Sequence, residues 1–396
     1  MGLLLAIFIL IMFILLLIVD FIMGRKAHKP SAQYLSFGKS EGEYQLYQNG
    51  APLFEDFFQD IAEAKEQIDV LFYLIDDSQI SLQLLDLLKK KAEEGLPVRL
   101  MVDRLGGYKM DRNIVRGLRE SGVYFSFSES PRFPFFFYKL NRRNHRKITV
   151  IDGKAAYVGG FNVGKNYIGE NAKFGNWRDY HLRIVGPAVE DLHTIFAADW
   201  EMATGEKMEP VNSDHQLDRY RLRFAATDGV NLEEEFLQLI HMAEKEIFIG
   251  TPYFIPTEQL MSALEQALTR EVKLHILVPL KADHPFVKPA AIPYLKRMKD
   301  LGAKISLFDA GFYHSKIFII DEKVADIGTA NFDRRSLFLN KEVNTFVYDP
   351  GFIKELKELF MKDAGQSIAF DEAWLSKRSL TTKINEKIAI LLRPLL

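Results

Sequence analysis

The first nineteen residues, MGLLLAIFILIMFILLLIV, carry no charge, and apolar side chains continue past Asp20 to Met23, where GRKAHKP begins. A stretch that is apolar on every face predicts a bilayer-spanning helix, since some twenty residues at about 1.5 Å each cover the roughly 30 Å hydrocarbon layer. It has no basic start and no small-residue cleavage site of the kind that marks a removable leader. Beyond residue 45 the pattern becomes amphipathic. EDFFQDIAEAKEQ and LLDLLKKKAEEG, the second stopped by Gly95, show helical periodicity between short apolar runs such as VLFYL and VRLMV. EEEFLQLIHMAEKE and LMSALEQALTRE repeat the alternation later in the chain. Strands alternating with helices of this length predict an α/β fold with a mixed sheet flanked by helices.

The alternation is itself duplicated. HRKITVIDGKAAYVGGFN, 145 to 162, lies over HSKIFIIDEKVADIGTAN, 314 to 331, without a gap, and nine of eighteen positions are identical, where roughly one would agree by chance. DYHLRIVGP from Asp179 answers EVNTFVYDP from Glu342, and VRLMVDRLG near 98 answers VKLHILVPL near 272. The predicted organisation is an anchor over 1–24, a juxtamembrane linker over 25–45, a first module over 46–205, a polar linker over 206–230, a second module over 231–365 and an amphipathic tail over 366–396. Arg25, Lys26 and Lys29 follow the apolar stretch and no Lys or Arg precedes it, which predicts that the modules face the cytoplasm.

Composition narrows the chemistry. Fifty-one basic against fifty-three acidic residues give a formal charge of −2, so the broad cationic field of a non-specific nucleic-acid binder is absent and any phosphate binding is local. The lack of cysteine removes disulfides, thiolate metal sites and a cysteine nucleophile. Seven of the nine histidines fall outside the paired His–Lys face of the repeat and form no H-x3-H pattern, so neither a metal site nor a cofactor is expected.

Within each copy His and Lys are one residue apart on a β run and project from the same face. The return strand brings Asn162 or Asn331 beside them. Two such modules packed by pseudo-twofold symmetry would frame one pocket holding two imidazoles, two ammoniums and two amides, which suits a phosphodiester. Lys147, Lys316, Asn162 and Asn331 can hold non-bridging oxygens while one neutral His attacks phosphorus and the other, protonated, donates to the leaving oxygen. Asp179 and Glu342, equivalent in the internal alignment, are candidates for orienting the imidazoles. Asp152 and Asp321 sit where the strands turn back, a position that favours a scaffold role over proton transfer.

The pattern H-x-K-x4-D-x6-G-[GT]-x-N, present twice, resembles the signature of the phospholipase D superfamily. With the apolar N-terminus and the stretches PRFPFFF, NWRDYHLRIVGP, TPYFIP and NFDRRS, the chain is similar to bacterial cardiolipin synthases of a short, single-anchor type. The resemblance spans roughly 45 to 365. It implies two tandem phospholipase D-like modules behind a transmembrane helix in the bacterial cell membrane. The implied reaction passes a phosphatidyl group between two phosphatidylglycerol molecules through a phosphohistidine. It implies His145, Lys147, Asp152, His314, Lys316 and Asp321 as paired motif residues, with His145 favoured as nucleophile and His314 as acid and base. Hydrolytic phospholipase D and phosphatidylserine synthase share this chemistry and stay open as rivals, as does a nuclease on the same fold. Phosphatidylglycerol and the bilayer are the expected partners, nucleic acid is not, and the oligomeric state is left open.

Two segments invite membrane readings. Phe133, Phe135, Phe136, Phe137 and Tyr138 precede Lys139, Arg142, Arg143, Arg146 and Lys147, which suggests a lipid-access lip, with a buried aromatic plug under a solvated basic loop as the alternative. The tail SKRSLTTKINEKIAILLRPLL can lie on a bilayer or pack on the second module. Arg334 and Arg335, just after Asn331, are placed to reach a second lipid phosphate or to serve the fold.

Overall fold

Short apolar runs such as IDVLF and IFII are buried along their whole length, which a strand requires when helices or a second sheet cover both of its faces. The structure, a computed structural model, describes residues 2–212, 220–284, 286–378, 382 and 385–389. Leaving aside two-residue strands, the first module contributes β1 (Ser40–Tyr47), β2 (Ile68–Phe72), β3 (Val98–Asp103), β4 (Tyr124–Ser128), β5 (Ile148–Ile151), β6 (Ala155–Gly159) and β7 (His181–Val185). The second contributes β8 (Tyr220–Asp228), β9 (Glu246–Gly250), β10 (Lys273–Pro279), β11 (Lys304–Phe308), β12 (Ile317–Ile320), β13 (Val324–Gly328) and β14 (Lys341–Val347). The spatial orders are β1-β7-β6-β5-β2-β3-β4 and β8-β14-β13-β12-β9-β10-β11, the same topology twice, joined where β1 and β8 pair antiparallel. In each copy the three strands furthest from this join run parallel and the rest antiparallel. A core shared by both modules runs between them, with Leu71, Ile148 and Leu182 packed in one cluster with Ile317, Val343 and Phe352.

The second module begins earlier than the sequence pattern suggests. β8 lies inside the expected 206–230 linker and pairs along its length with β14. The polar residues ahead of it hid a strand whose inner half, FAATD, is fully buried.

Helix α1 (Gly2–His28) carries the apolar N-terminus, and its most apolar window has no protein cover. Only its C-terminal end touches the modules. Gly24 meets the helix Phe136–Asn141 so closely that a Cβ would lie 2.5 Å from Tyr138 Cβ. Phe21 packs against the Phe137 and Tyr138 rings at 6.3 and 5.8 Å, and the Asp20 carboxylate accepts from the Tyr138 amide at 2.9 Å. The aromatic segment is therefore the seat of α1, with Phe133 and Phe136 left outward as a stacked pair, 84% and 40% exposed. Its cations do not behave as a solvated loop. Arg142, Arg143 and Arg146 are buried and paired with Asp228, Asp103 and Asp199, and Lys147 is buried as well, so four of the five charges expected at the lipid-access lip are held inside the protein. The C-terminal tail is described over 366–378, 382 and 385–389, and its Leu375 and Ala389 are buried in the second module's core.

Candidate active site

Chain segments that cross from one module to the other deliver the two histidines. The His145 amide donates to the Lys341 carbonyl at 2.9 Å, and the Lys341 amide to the Arg143 carbonyl at 2.9 Å. On the opposite side Phe312–Tyr313 pairs in parallel with Trp177–Arg178, and the His314 amide donates to the Arg178 carbonyl at 2.8 Å. Each histidine thus stands beside the residue that follows its partner segment, and that residue is the other module's carboxylate. His145 Nδ1–H donates to Glu342 Oε2 at 2.9 Å, and His314 Nδ1–H donates to Asp179 Oδ2 at 2.6 Å. The carboxylate fixes the tautomer and leaves Nε2 of each ring unprotonated.

The carboxylates are themselves held. Glu342 accepts from Thr329 Oγ1 at 2.6 Å, Ser336 Oγ at 2.8 Å and Asn340 Nδ2 at 3.2 Å. Asp179 accepts from the Tyr180 amide at 2.9 Å and from Lys316 Nζ at 3.3 Å. Although burial pushes both carboxyls up, Lys316 and His314 bring Asp179 below the ordinary carboxylate range, and His145 and Lys147 do the same for Glu342. Both carboxylates are therefore charged at neutral pH.

Lys147 and Lys316 project with their histidines and are buried. Lys147 Nζ donates to the His145 carbonyl at 2.7 Å and lies 5.5 Å over the Tyr73 ring. Burial pushes its ammonium down to about 7 against the pull of Glu342, and Lys316 adds to the fall. Burial also lowers Lys316, opposed by Asp179 and Glu342. Each ammonium thus feels the carboxylates of both modules, so the two faces form a single electrostatic unit. Burial lowers His145 as well, opposed by Glu342, and takes His314 down to about 4, helped by Lys316 and opposed by Asp179. Both rings are neutral at pH 7. An anion entering between the ammoniums reverses part of this shift by favouring every positive charge around it.

The motif aspartates lie elsewhere. Asp152 accepts from the amides of Lys65, Glu66 and Gln67 at 2.7–3.1 Å, and Asp321 from those of Glu244, Lys245 and Glu246 at 2.8–3.0 Å. Both adopt left-handed backbone, φ 53° and 51°, which Asp tolerates better than most residues. They knit the turn to the start of β2 or β9, and the strand between puts them roughly 20 Å from the imidazoles. Asn162 also has partners within its own module. Its Oδ1 accepts from the Leu74 amide at 3.1 Å and its Nδ2 donates to Tyr167 Oη at 3.0 Å, which ties the loop after β2 to the loop after β6. Asn331 is buried, its own amide N–H held by Ser336 Oγ at 3.0 Å and its Oδ1 without a partner among the described residues.

Asp103 was missed from the sequence. At the end of β3 it accepts from the Asn144 amide and the Arg143 guanidinium, each at 2.9 Å, and so sets the segment that delivers His145. The second copy offered no echo of it, because its matching strand, KLHILVP, has no carboxylate. Ser336 and Asn340 flank the second motif in the NFDRRSLFLN stretch. Only the fold shows that both face Glu342.

Residues 57–200 and 236–364 match the family described as cardiolipin synthase, phospholipase D-like domain. The chain is 39% identical over 372 residues to the minor cardiolipin synthase ClsB of Bacillus subtilis, covering 94% of each chain. The chain belongs to the phospholipase D-like cardiolipin synthase family. A cardiolipin synthase of Staphylococcus aureus strain Mu50 is 38% identical over 375 residues, covering 91% of this chain and 75% of that one. Among solved structures, phosphatidylserine synthase of Haemophilus influenzae superposes with a TM-score of 0.67 over 94% of this chain and all of that one, at 14% identity. That likeness concerns the fold.

Proposed function

We propose that this cardiolipin synthase transfers a phosphatidyl group between two phosphatidylglycerol molecules at the crossed pairs. Neutral His145 attacks phosphorus through Nε2, the P–O bond to the glycerol headgroup breaks, and His314, protonated in the substrate complex, gives its proton to the departing oxygen. Glycerol leaves. His314 then takes the proton from a hydroxyl of a second phosphatidylglycerol, the new P–O bond forms, and the P–N bond to His145 breaks, giving cardiolipin. Lys147, Lys316 and Asn331 surround the non-bridging oxygens and stabilise charge as it builds at phosphorus. Asp152, Asp321 and Asn162 hold the strands and loops in place.

The observation that carries this reading is the exchange of carboxylates between modules, which aims both imidazoles into one site. Transfer is favoured over hydrolysis because the His145 and His314 side chains are only 12% and 9% exposed, so bulk water has little access to the phosphorylated ring. One phosphodiester replaces another, and no nucleotide is consumed. On this reading α1 crosses the bacterial cell membrane once, with Arg25, Lys26 and Lys29 on the cytoplasmic side together with both modules. Mass spectrometry of products from pure phosphatidylglycerol tests the assignment. Cardiolipin with glycerol is expected; phosphatidic acid with glycerol would make the chain a hydrolase, and no reaction without serine would make it a phosphatidylserine synthase.

A further inference from the structure

Buried arginines in this protein have carboxylates. Arg142, Arg143, Arg146 and Arg178 each meet one at 2.6–2.9 Å. At the foot of α1 stand cations of another kind, exposed or half-buried. Arg25, Lys29 and Arg334 form no ion pair among the described residues, and Arg25 and Arg334 lie against the same Phe338 ring at 4.5 and 5.8 Å, which brings two like charges together. Beside them is a cavity of about 250 Å³ walled by Arg25, His28, Lys29, Tyr138, Asn231 and Phe338, with Glu234 the one carboxylate in its lining.

The level of this cavity identifies what it would hold. Arg25 and Lys29 follow Met23, the end of the apolar stretch, by two and six positions, or about 3 and 9 Å of helix. A headgroup layer is about 5–8 Å deep on each side of the hydrocarbon. The two cations therefore bracket the level of lipid phosphates, and the cavity opens between them. Behind it, His28 meets Asp228 at 3.3 Å through Nε2 and Arg142 at 3.3 Å through Nδ1, and Arg142 lies three residues before His145.

We propose that this cavity binds the phosphate of an anionic phospholipid, outside the catalytic pocket, and keeps a lipid of the substrate class at the foot of the anchor. The inference rests on the reading that α1 spans the membrane. A phosphodiester there places its charge between Arg25 and Lys29 and lays its acyl chains along the uncovered face of α1.

Full-length chain carrying His145→Ala and His314→Ala, in a neutral detergent, is titrated with dihexanoyl phosphatidylglycerol in a calorimeter. Adding Arg25→Gln and Lys29→Gln is expected to remove one bound lipid per chain, whereas the swap Arg25→Lys with Lys29→Arg retains it. An unchanged stoichiometry overturns the proposal, as does loss of the lipid in the charge-conserving swap. Dihexanoyl phosphatidylcholine should not occupy the site, and inorganic phosphate at the same concentration should not displace the lipid; equal binding of the first, or displacement by the second, overturns it. Alkaline extraction of membranes reports on the span separately, and the product assay on the wild-type chain reports on the reaction, so failure of either reading is distinguishable from failure of this one.

Discussion

The two modules share a topology strand for strand, yet the surroundings of their histidines differ in kind. His145 leans on a carboxylate held by two hydroxyls and an amide, and its lysine turns to a backbone carbonyl. His314 leans on a carboxylate that also holds an ammonium, and that ammonium, Lys316, is in contact with the His314 ring itself. The scaffold is symmetric and the surroundings of the two rings are not, as the opposite duties proposed for them in one half-reaction require.

Removing either ring should have the largest effect. His145→Ala and His314→Ala are each expected to lower cardiolipin formation by at least about 10⁴-fold. They separate on a phosphatidyl ester with a p-nitrophenol leaving group, which needs no acid. There the His314 variant should accumulate a phosphohistidine detectable by phosphorus NMR, and the His145 variant should form none. The opposite pattern would exchange the two roles.

The crossed carboxylates come next. Glu342→Gln and Asp179→Asn keep the shape but allow the wrong tautomer, and each should cost about 10²-fold or more in kcat. Proton NMR should show the first perturbing the titration of His145 and the second that of His314. Were each substitution to disturb the ring of its own module instead, the crossing would be refuted.

A smaller effect on turnover and a larger one on stability is expected at the turns. Asp152→Ala and Asp321→Ala each strand several backbone amides and should destabilise the fold by about 2 kcal/mol or more, read from denaturant midpoints, while material that stays folded retains most of its kcat. Stability should also depend on pH through His314. Its ring is held neutral with a value lowered from 6.5 to about 4, so the unfolded chain binds the proton more readily in that interval. The contribution is complete above about 6.5 and is lost as pH falls toward about 4, so the thermal midpoint should drop over that range and His314→Gln should reduce the drop. Smallest is the exposed aromatic pair. Phe133→Ser with Phe136→Ser should cut turnover on vesicles about tenfold and leave a short-chain soluble lipid unaffected; equal loss on both would deny the pair a membrane role.

The duplicated motif made the α/β halves legible and set their His–Lys pairs in register, because an ungapped match of such length preserves strand register as well as residue type. It also marked Asp179 and Glu342 as equivalents. Equivalence does not reveal partnership. An internal alignment sets Asp179 in the frame of His145, whereas the backbone pairing of 312–313 with 177–178 gives it to His314. The cations after the PRFPFFF segment read as a lipid-facing loop because their counter-charges, Asp103, Asp199 and Asp228, lie on strands and a helix 40 to 86 residues away. Polar residues ahead of Tyr220 likewise outweighed the short FAATD run that enters the sheet.

The exchange of carboxylates means that neither half owns a working imidazole. A polypeptide cut after Gly205 would yield two pieces that are each inert, however well folded, until they reassemble. A gene encoding one half alone could function only as a homodimer, and damage confined to one repeat silences both.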